Sequence, residues 1–442
     1  MVYVCVFFVA LMLAISLYDF FKIRNFQDFA VAGKNQTFLP VLLSLCASMI
    51  GASATLGVSE RVVEIGFPAF WWLGVGSFAL VLQSLMVSKK IRGLEANTLP
   101  DVAHITVGSG ARTILAAIIV IAWVGIIAAQ IVSIAKIVAV VWYNFSANKN
   151  TLVFFITLAL ILYTVLGGQK SVVKTDMIQS GIIFCGVVFC FIYLYCFTES
   201  DTCKVINKVQ VLNQNFGTMD LINLAFITGG TYFLGPDLVS RNLISKDKKT
   251  AQKATFVAAI ILAVFGILIT FIGMWVAENV PDEILKDVNP LVFLIENIIP
   301  KPLSILLCLA LLATLFSSVD TCLVNAATIV EYDLFRKKRV WVIRILIVAL
   351  GIISGIIALS NQSIIALLLN AYSIYSPGVV FPLLFAILFY PKKQPRKVLW
   401  FLAVIIGGFS GLLQFYFNLG FEYLPLIGMT VSLVLSLLSF LI

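Results

Sequence analysis

Charge is what this chain has least of. Lys, Arg, Asp and Glu make up 12% of its 442 residues, about half of what a soluble domain of that size carries. Histidine is almost absent: with His104 alone, a multi-histidine metal centre is excluded. The eight cysteines form no CxxC pair and no metal spacing. Seven lie in apolar runs and Cys203 stands alone in a loop, so they read as buried small hydrophobes without a disulfide framework. No polar stretch is long enough to fold by itself, the longest running from about Thr198 to Met219. The first apolar run starts at Met1 with no basic residue ahead of it and no small-residue cleavage site after it. It reads as a span rather than a signal peptide.

What is present is apolar: 61% of the residues are hydrophobic. Runs long enough to cross a bilayer recur from end to end, so the expected fold is an all-α polytopic membrane protein. Thirteen spans are predicted, at about 2–19, 38–58, 66–88, 112–143, 151–168, 171–197, 219–237, 251–277, 303–334, 339–360, 363–390, 396–417 and 423–442. The net charge of +9 is not a nucleic-acid signal, because it collects in short connections. Of the 30 Lys and Arg, 22 fall in connections after odd-numbered spans, Arg24 and Arg241 among them, and six after even-numbered ones. That bias places the N-terminus outside and the C-terminus in the cytoplasm, in a plasma membrane. The remaining two, Lys136 and Arg344, sit near span ends and are expected to snorkel. The apolar segment Asn289 to Ile299 is too short to span and should cap the outer surface or lie along it.

Three stretches break the apolar pattern. In Leu311 to Phe335, LLATLFSSVDTCLVNAATIVEYDLF, Ser317, Asp320 and Thr321 share one helix face. A hydroxyl stripe with a carboxylate at mid-membrane must face protein, water or an ion, although small residues also serve close helix packing. The second span, LPVLLSLCASMIGASATLGV, is interrupted by Ala47-Ser48, Gly51, Ser53 and Gly57. The seventh, LINLAFITGGTYFLGPDLVS, is interrupted by Gly229-Gly230 and Gly235-Pro236-Asp237. Gly and Pro there let a helix unwind and free its carbonyls. The two breaks lie five spans apart, so the segments cross in opposite directions. Two inverted five-helix units, each opening with a broken helix, are the pattern of a secondary transporter. They would cover about 38–197 and 219–390, with one helix before and two, 396–442, after.

A small hard cation wants several oxygen ligands. Freed carbonyls of the second span and the hydroxyls of Ser317 and Ser318 could supply them. Asp176, near the start of the sixth span, lies at a depth comparable to Asp320, and the two carboxylates could share a second cation or a proton. An ion pair with Lys174 or an inner-loop Arg would serve Asp176 equally well.

The motifs FAVAGKNQTFLP (29–40), GASATLGVSE (51–60), LEANTLPDV (94–102), YTVLGGQKSVVKTDMIQ (163–179), SRNLISKDKKTAQKA (240–254) and YSIYSPGVVFPLL (372–384), with the stretch from Ser317 to Phe335, resemble the sodium:solute symporter family, most nearly its sodium/proline-type branch. The resemblance implies a LeuT-like 5+5 inverted repeat with extra helices at both ends. It implies Na+ bound by the carbonyls of Ala47, Ile50 and Thr314 and the hydroxyls of Ser317 and Ser318, and in some members a second sodium at positions matching Asp176, Ser317, Asp320 and Thr321. The solute should bind between the broken helices at mid-membrane. Ser53, Thr55, Trp71 or Trp72, Gln130, Tyr232, Asn370 and Tyr375 are the candidate lining residues. The sugar branch has polar residues where Ala54 and Leu369 stand, which favours an amino acid or carboxylate, and no buried Arg is evident to grip a carboxylate. A proton-coupled transporter would use Asp176 or Asp320. A sensor would need a separate signalling partner, since the chain ends at Ile442 directly after its last span. An intramembrane enzyme is disfavoured, because neither Asp lies in a GxGD context and no Ser/His or metal-ligand set occurs within the spans.

Overall fold

The computed structural model describes residues 2–23, 25–141, 149–198, 202–286, 288–359, 363–417 and 423–441. Arg24, and the last residues of the spans predicted at 112–143, 339–360 and 423–442, lie outside the described residues. Among the described residues the chain is helical, and extended backbone pairs only at the bridges Gln36–Ser245 and Asn213–Phe216.

In chain order the main helices are α1 (Val2–Phe20), α2 (Phe38–Met49), α3 (Val58–Ile65), α4 (Trp71–Met86), α5 (Ser109–Val141), α6 (Lys149–Leu166), α7 (Gln169–Cys196), α8 (Thr218–Leu234), α9 (Pro236–Ile244), α10 (Lys248–Asn279), α11 (Lys301–Ile329), α12 (Val340–Ala358), α13 (Ile364–Phe389), α14 (Lys397–Phe417) and α15 (Leu424–Leu441). Among the described residues, ten helices are long and apolar enough to cross a bilayer. The pair formed by α2 and the helical stretch Ser53–Ile65, bent by 58°, makes an eleventh if it is one span. The predicted count of thirteen is not reached on that measure. The spans predicted at 151–168 and 219–237 fall on the shorter helix α6 and on the interrupted pair α8–α9.

The seventh span needs a correction. Gly229 and Gly230 stay helical inside α8, and the chain breaks only at Gly235. Pro236 then opens α9, where its fixed φ and missing N–H suit the first helical position. Gly-Pro-Asp is the middle of this segment, not its end. Arg241 therefore leaves the tally of loop cations and lies inside the protein, with no exposed surface.

The outer surface carries Phe78, Phe154, Ile356 and Val398, exposed as side chains facing lipid must be. Inside, hydroxyls tie helices to each other's carbonyls: Ser180 to Leu43 (2.6 Å), Ser77 to Ala259 (2.7 Å) and Ser354 to Val124 (3.1 Å). Helix α10 is capped by Asp247, which accepts from the Thr250 N–H at 2.7 Å, a bond that holds its carboxyl below the usual range. Lys136 reaches Glu60 at 2.7 Å. The segment Asn289 to Ile299 folds as a short helix and a π turn against α3, where the Asn289 amide donates to the Leu56 carbonyl at 3.1 Å.

Helix α11 is buried along most of its length. It packs tightly on α7 at Gly186, where an added Cβ would lie 2.5 Å from Ala310 Cβ and 3.2 Å from the Leu306 carbonyl. At Gly181 on the same helix an added Cβ would meet nothing within 4 Å. Gly186→Ala should therefore lower stability by about 1–3 kcal/mol through overpacking, while Gly181→Ala should not. Thermal unfolding of both variants in detergent tests this, and equal effects at the two positions would contradict the packing described.

Candidate functional site

Both breaks leave carbonyls without helical partners in a dry setting, and side chains meet them. Helix α2 stops at Met49, and Ile50 leaves helical geometry at φ −95°, ψ 87°. Gly51 follows because nothing larger fits: a Cβ there would lie 2.8 Å from both Gln130 Nε2 and Ser318 Oγ. Ser317 Oγ donates to the Ala47 carbonyl (2.7 Å), Ser318 Oγ to that of Ser48 (3.4 Å), and the Tyr232 hydroxyl to that of Met49 (3.3 Å). Thr55 Oγ1 donates to the Gly51 carbonyl at 3.0 Å, and the Ala52 N–H donates to Gln130 Oε1 at 2.9 Å. At the second break Gln83 Nε2 donates to the Phe233 carbonyl (2.8 Å) and the Tyr375 hydroxyl to that of Leu234 (2.6 Å).

The residues expected to hold sodium are thus gathered at the first break. Ser317 Oγ also lies 3.2 Å from the Thr314 carbonyl, and Ile50 is the residue at which the helix opens. Hydroxyl protons stand between these oxygens. A hydroxyl that turns its lone pairs toward a small cation keeps both oxygens as ligands.

One turn toward the face bearing the basic connections, the arrangement departs from expectation. A buried Arg is present after all. Arg241 Nη2 reaches Asp176 Oδ2 (3.0 Å), Ser48 Oγ (2.7 Å) and Thr321 Oγ1 (2.6 Å), and its Nη1 reaches Ser240 (3.0 Å). Asp176 is fully buried and also accepts from Ser44 Oγ. The guanidinium lies between Asp176 and Thr321, two of the positions expected to hold a second sodium. Asp320 faces Tyr163 and Thr164 instead, and its Oδ1 has no hydrogen-bond partner. Arg241 was legible in principle: PDLVSRNLI read as a helix puts Asp237 and Arg241 one turn apart on one face.

A cavity of about 40 Å³ opens beside the first break. Ser53, Gln130 and Tyr232 line it, as expected, together with Trp123, Asp237 and Tyr372, which the sequence reading did not single out. On the side away from the basic face, Trp72 stands against Tyr372 with ring centroids 6.3 Å apart. Trp72 and Ser53 also line a second cavity of about 100 Å³ beyond them. Trp71 is turned aside, its Nε1 donating to the Val211 carbonyl at 3.0 Å. Thr55, Asn370 and Tyr375 line neither cavity.

At the basic face the ends of the two broken helices are tied together. Gln36 N–H donates to the Ile244 carbonyl (3.1 Å) and Lys246 N–H to that of Gln36 (2.9 Å). Arg92 donates to the Ser245 carbonyl and pairs with Glu95 at 2.6 Å. This conformation is closed on that side.

Arg241→Ala would leave Asp176 buried without its cation, at a cost of about 3–5 kcal/mol. Combining it with Asp176→Asn should recover much of that loss. Thermal unfolding of the single and double variants measures it, and an equal loss in both would contradict the pairing.

The sequence pattern of the sodium:solute symporter family matches residues 29–400. The osmoregulated proline transporter OpuE of Bacillus subtilis (strain 168) is 23% identical over 391 residues, covering 81% of this chain and 77% of that protein. Among solved structures, a substrate-bound, outward-open sodium-coupled sialic acid symporter superposes with a TM-score of 0.78 at 16% identity, covering 98% of this chain and 95% of that one. MhsT in complex with L-phenylalanine superposes at 0.61 with 14% identity, covering 92% and 99%. These neighbours show a LeuT-like transporter fold. With its motifs, its interrupted helices and this match over most of its length, the chain belongs to the sodium:solute symporter family and is a membrane transporter, not an enzyme.

Proposed function

We propose that this protein imports a small organic solute across a plasma membrane, driven by one sodium ion per cycle. The N-terminus is outside, the C-terminus is cytoplasmic, and the inverted repeats span about 38–197 and 219–390. The observation that carries this reading is the run of freed carbonyls at Ala47, Ser48 and Met49, two of them met by serine hydroxyls of α11. Sodium enters between these oxygens as the serine hydroxyls rotate their O–H bonds away and turn their lone pairs to it. It is held by the carbonyls of Ala47, Ile50 and Thr314 and the hydroxyls of Ser317 and Ser318. An ion there ties broken α2 to α11 and orders the backbone at Gly51, which borders the cavity through Gln130 and Ser318. The solute then binds more tightly, and by linkage it tightens sodium in return.

The cavity supports a small solute. At roughly 10–15 Å³ per water on this measure, 40 Å³ holds about three waters, so the closed cavity must widen even for a small amino acid and much further for a sugar. Trp72 and Tyr372 close over it from outside. The ties among Gln36, Ile244, Lys246 and Arg92 must part to open the cytoplasmic side. Sodium then leaves down its gradient, helped by roughly 2.3 kcal/mol per charge for each 100 mV. The guanidinium of Arg241 between Asp176 and Thr321 favours one sodium over two, because a fixed cation already stands there.

Proton coupling is a second reading that one observation favours. Among the described residues, Asp176 and Asp320 share this depth with one guanidinium, and Oδ1 of each lacks a partner. A proton would balance the remaining charge. Uptake driven by a pH gradient in sodium-free liposomes would establish it.

Ser317→Ala and Ser318→Ala should each raise the sodium concentration for half-maximal uptake on the order of fivefold, for a ligand contributing ~1 kcal/mol. Sodium dependence unchanged in both variants would remove the ligand assignment.

A further inference from the structure

The central cavity is lined by one acidic side chain. Among the described residues that line it, Asp237 is the one charged side chain, and no Lys, Arg or His joins it. Its carboxylate lies over the first turn of α9, beside the N–H groups of Asp237 and Leu238, directly after the break at Gly235. The cation on the same helix acts on it through space but makes its hydrogen bonds elsewhere. Arg241, one turn along α9, gives its guanidinium to Asp176, Ser48, Thr321 and Ser240, and no ion pair links it to Asp237 among the described residues. The rest of the lining includes three aromatic side chains, Trp123, Tyr232 and Tyr372. Aromatic rings can attract a cation. A solute carrying only negative charge would meet the Asp237 carboxylate in a cavity of about 40 Å³, and like charges held close together repel strongly where water is scarce.

We propose that Asp237 is a specificity-determining residue that binds a positively charged nitrogen, so the transported solute is a small ammonium or zwitterionic amine rather than a plain carboxylate or a polyol. This rests on the reading that the central cavity holds the solute. The cationic nitrogen of the solute pairs with the Asp237 carboxylate, donating an N–H where it carries one, with the aromatic side chains around it. Any carboxylate on the same solute is directed away from Asp237, toward the Gln130 amide nitrogen beside Gly51. The charge of the pocket thus selects within the amino acid and carboxylate classes that the sequence left open.

The test uses the full-length protein, purified in detergent and reconstituted in liposomes, with solutes matched in shape but differing at one atom. Suitable pairs are alanine with lactate, proline with tetrahydrofuran-2-carboxylate, and choline with 3,3-dimethylbutanol. Thermal shift is read with sodium and with potassium. The nitrogen-bearing member of at least one pair should stabilise the protein, and its mate should not. Asp237→Asn should weaken that solute on the order of 10- to 100-fold, the range for a hydrogen bond to a charged group, while Asp237→Glu should keep part of the binding. Stabilisation by sodium alone should persist in both variants, which shows that they are folded. Binding of a nitrogen-free mate, no response to any nitrogen-bearing solute, or undiminished affinity in Asp237→Asn would overturn the proposal. Sodium-dependent uptake of a nitrogen-free solute would overturn it and leave symport standing. Asp237-dependent binding of an amine that is indifferent to sodium would sustain it and remove sodium coupling instead.

Discussion

A carbonyl freed in the middle of a membrane must find a donor or a cation. Lipid offers neither, and each unmet group costs several kcal/mol. Two helices of this protein are broken at mid-depth, and the core around them is arranged to answer that need. Ser317, Ser318 and Tyr232 answer the first break, and Gln83 and Tyr375 answer the second. The donors come from helices that are not themselves broken, apart from Tyr232, which lies on the partner broken segment. Each break is therefore held open by its surroundings, and each is linked to the other through Tyr232 and Arg241.

The same constraint explains how binding can act as a switch. In the proposed mechanism a hydroxyl O–H and a sodium ion can satisfy the same carbonyl, so the O–H turns away as the ion enters and the carbonyl is not orphaned. The difference lies in reach. A hydroxyl bonds one carbonyl well, whereas an ion can gather the proposed carbonyls of Ala47, Ile50 and Thr314 together with two hydroxyls of α11. Occupancy then stiffens a stretch of backbone that borders the cavity. Arg241 does comparable work one turn away with a tethered charge, bridging α2, α7, α9 and α11 whatever the ion content.

Much of this was legible in the sequence, for a physical reason. Period, length and charge bias express solvent and lipid directly, so the helical membrane fold could be read from composition and order. Glycines in apolar runs marked both interrupted helices, and the serine pair marked the helix that faces the first. What was not legible depended on partners far apart in the chain. Gln130 stood out as the polar group of an apolar span, inviting a role in solute binding, and does line the cavity, but that its oxygen also caps the Ala52 N–H was not readable. Tyr375 drew the same expectation and caps Leu234. Thr55 turns back onto Gly51. A polar side chain at mid-membrane meets either a ligand or a freed backbone group, and sequence alone does not separate the two. Arg241 was misplaced for a related reason: Gly-Pro-Asp looks the same at a helix end as at a break within a helix, and only the continuation of α9 distinguishes them.

The central claim is that sodium binds at the first break and orders it. Hydrogen exchange followed by mass spectrometry, on detergent-solubilised protein in sodium and in potassium at equal ionic strength, addresses it most directly. The account predicts that sodium, and not potassium, slows exchange across residues 50–57 and across the facing part of α11, with little change in α14 and α15. Identical exchange at the break in the two cations, or a sodium effect confined to the terminal helices, would contradict it.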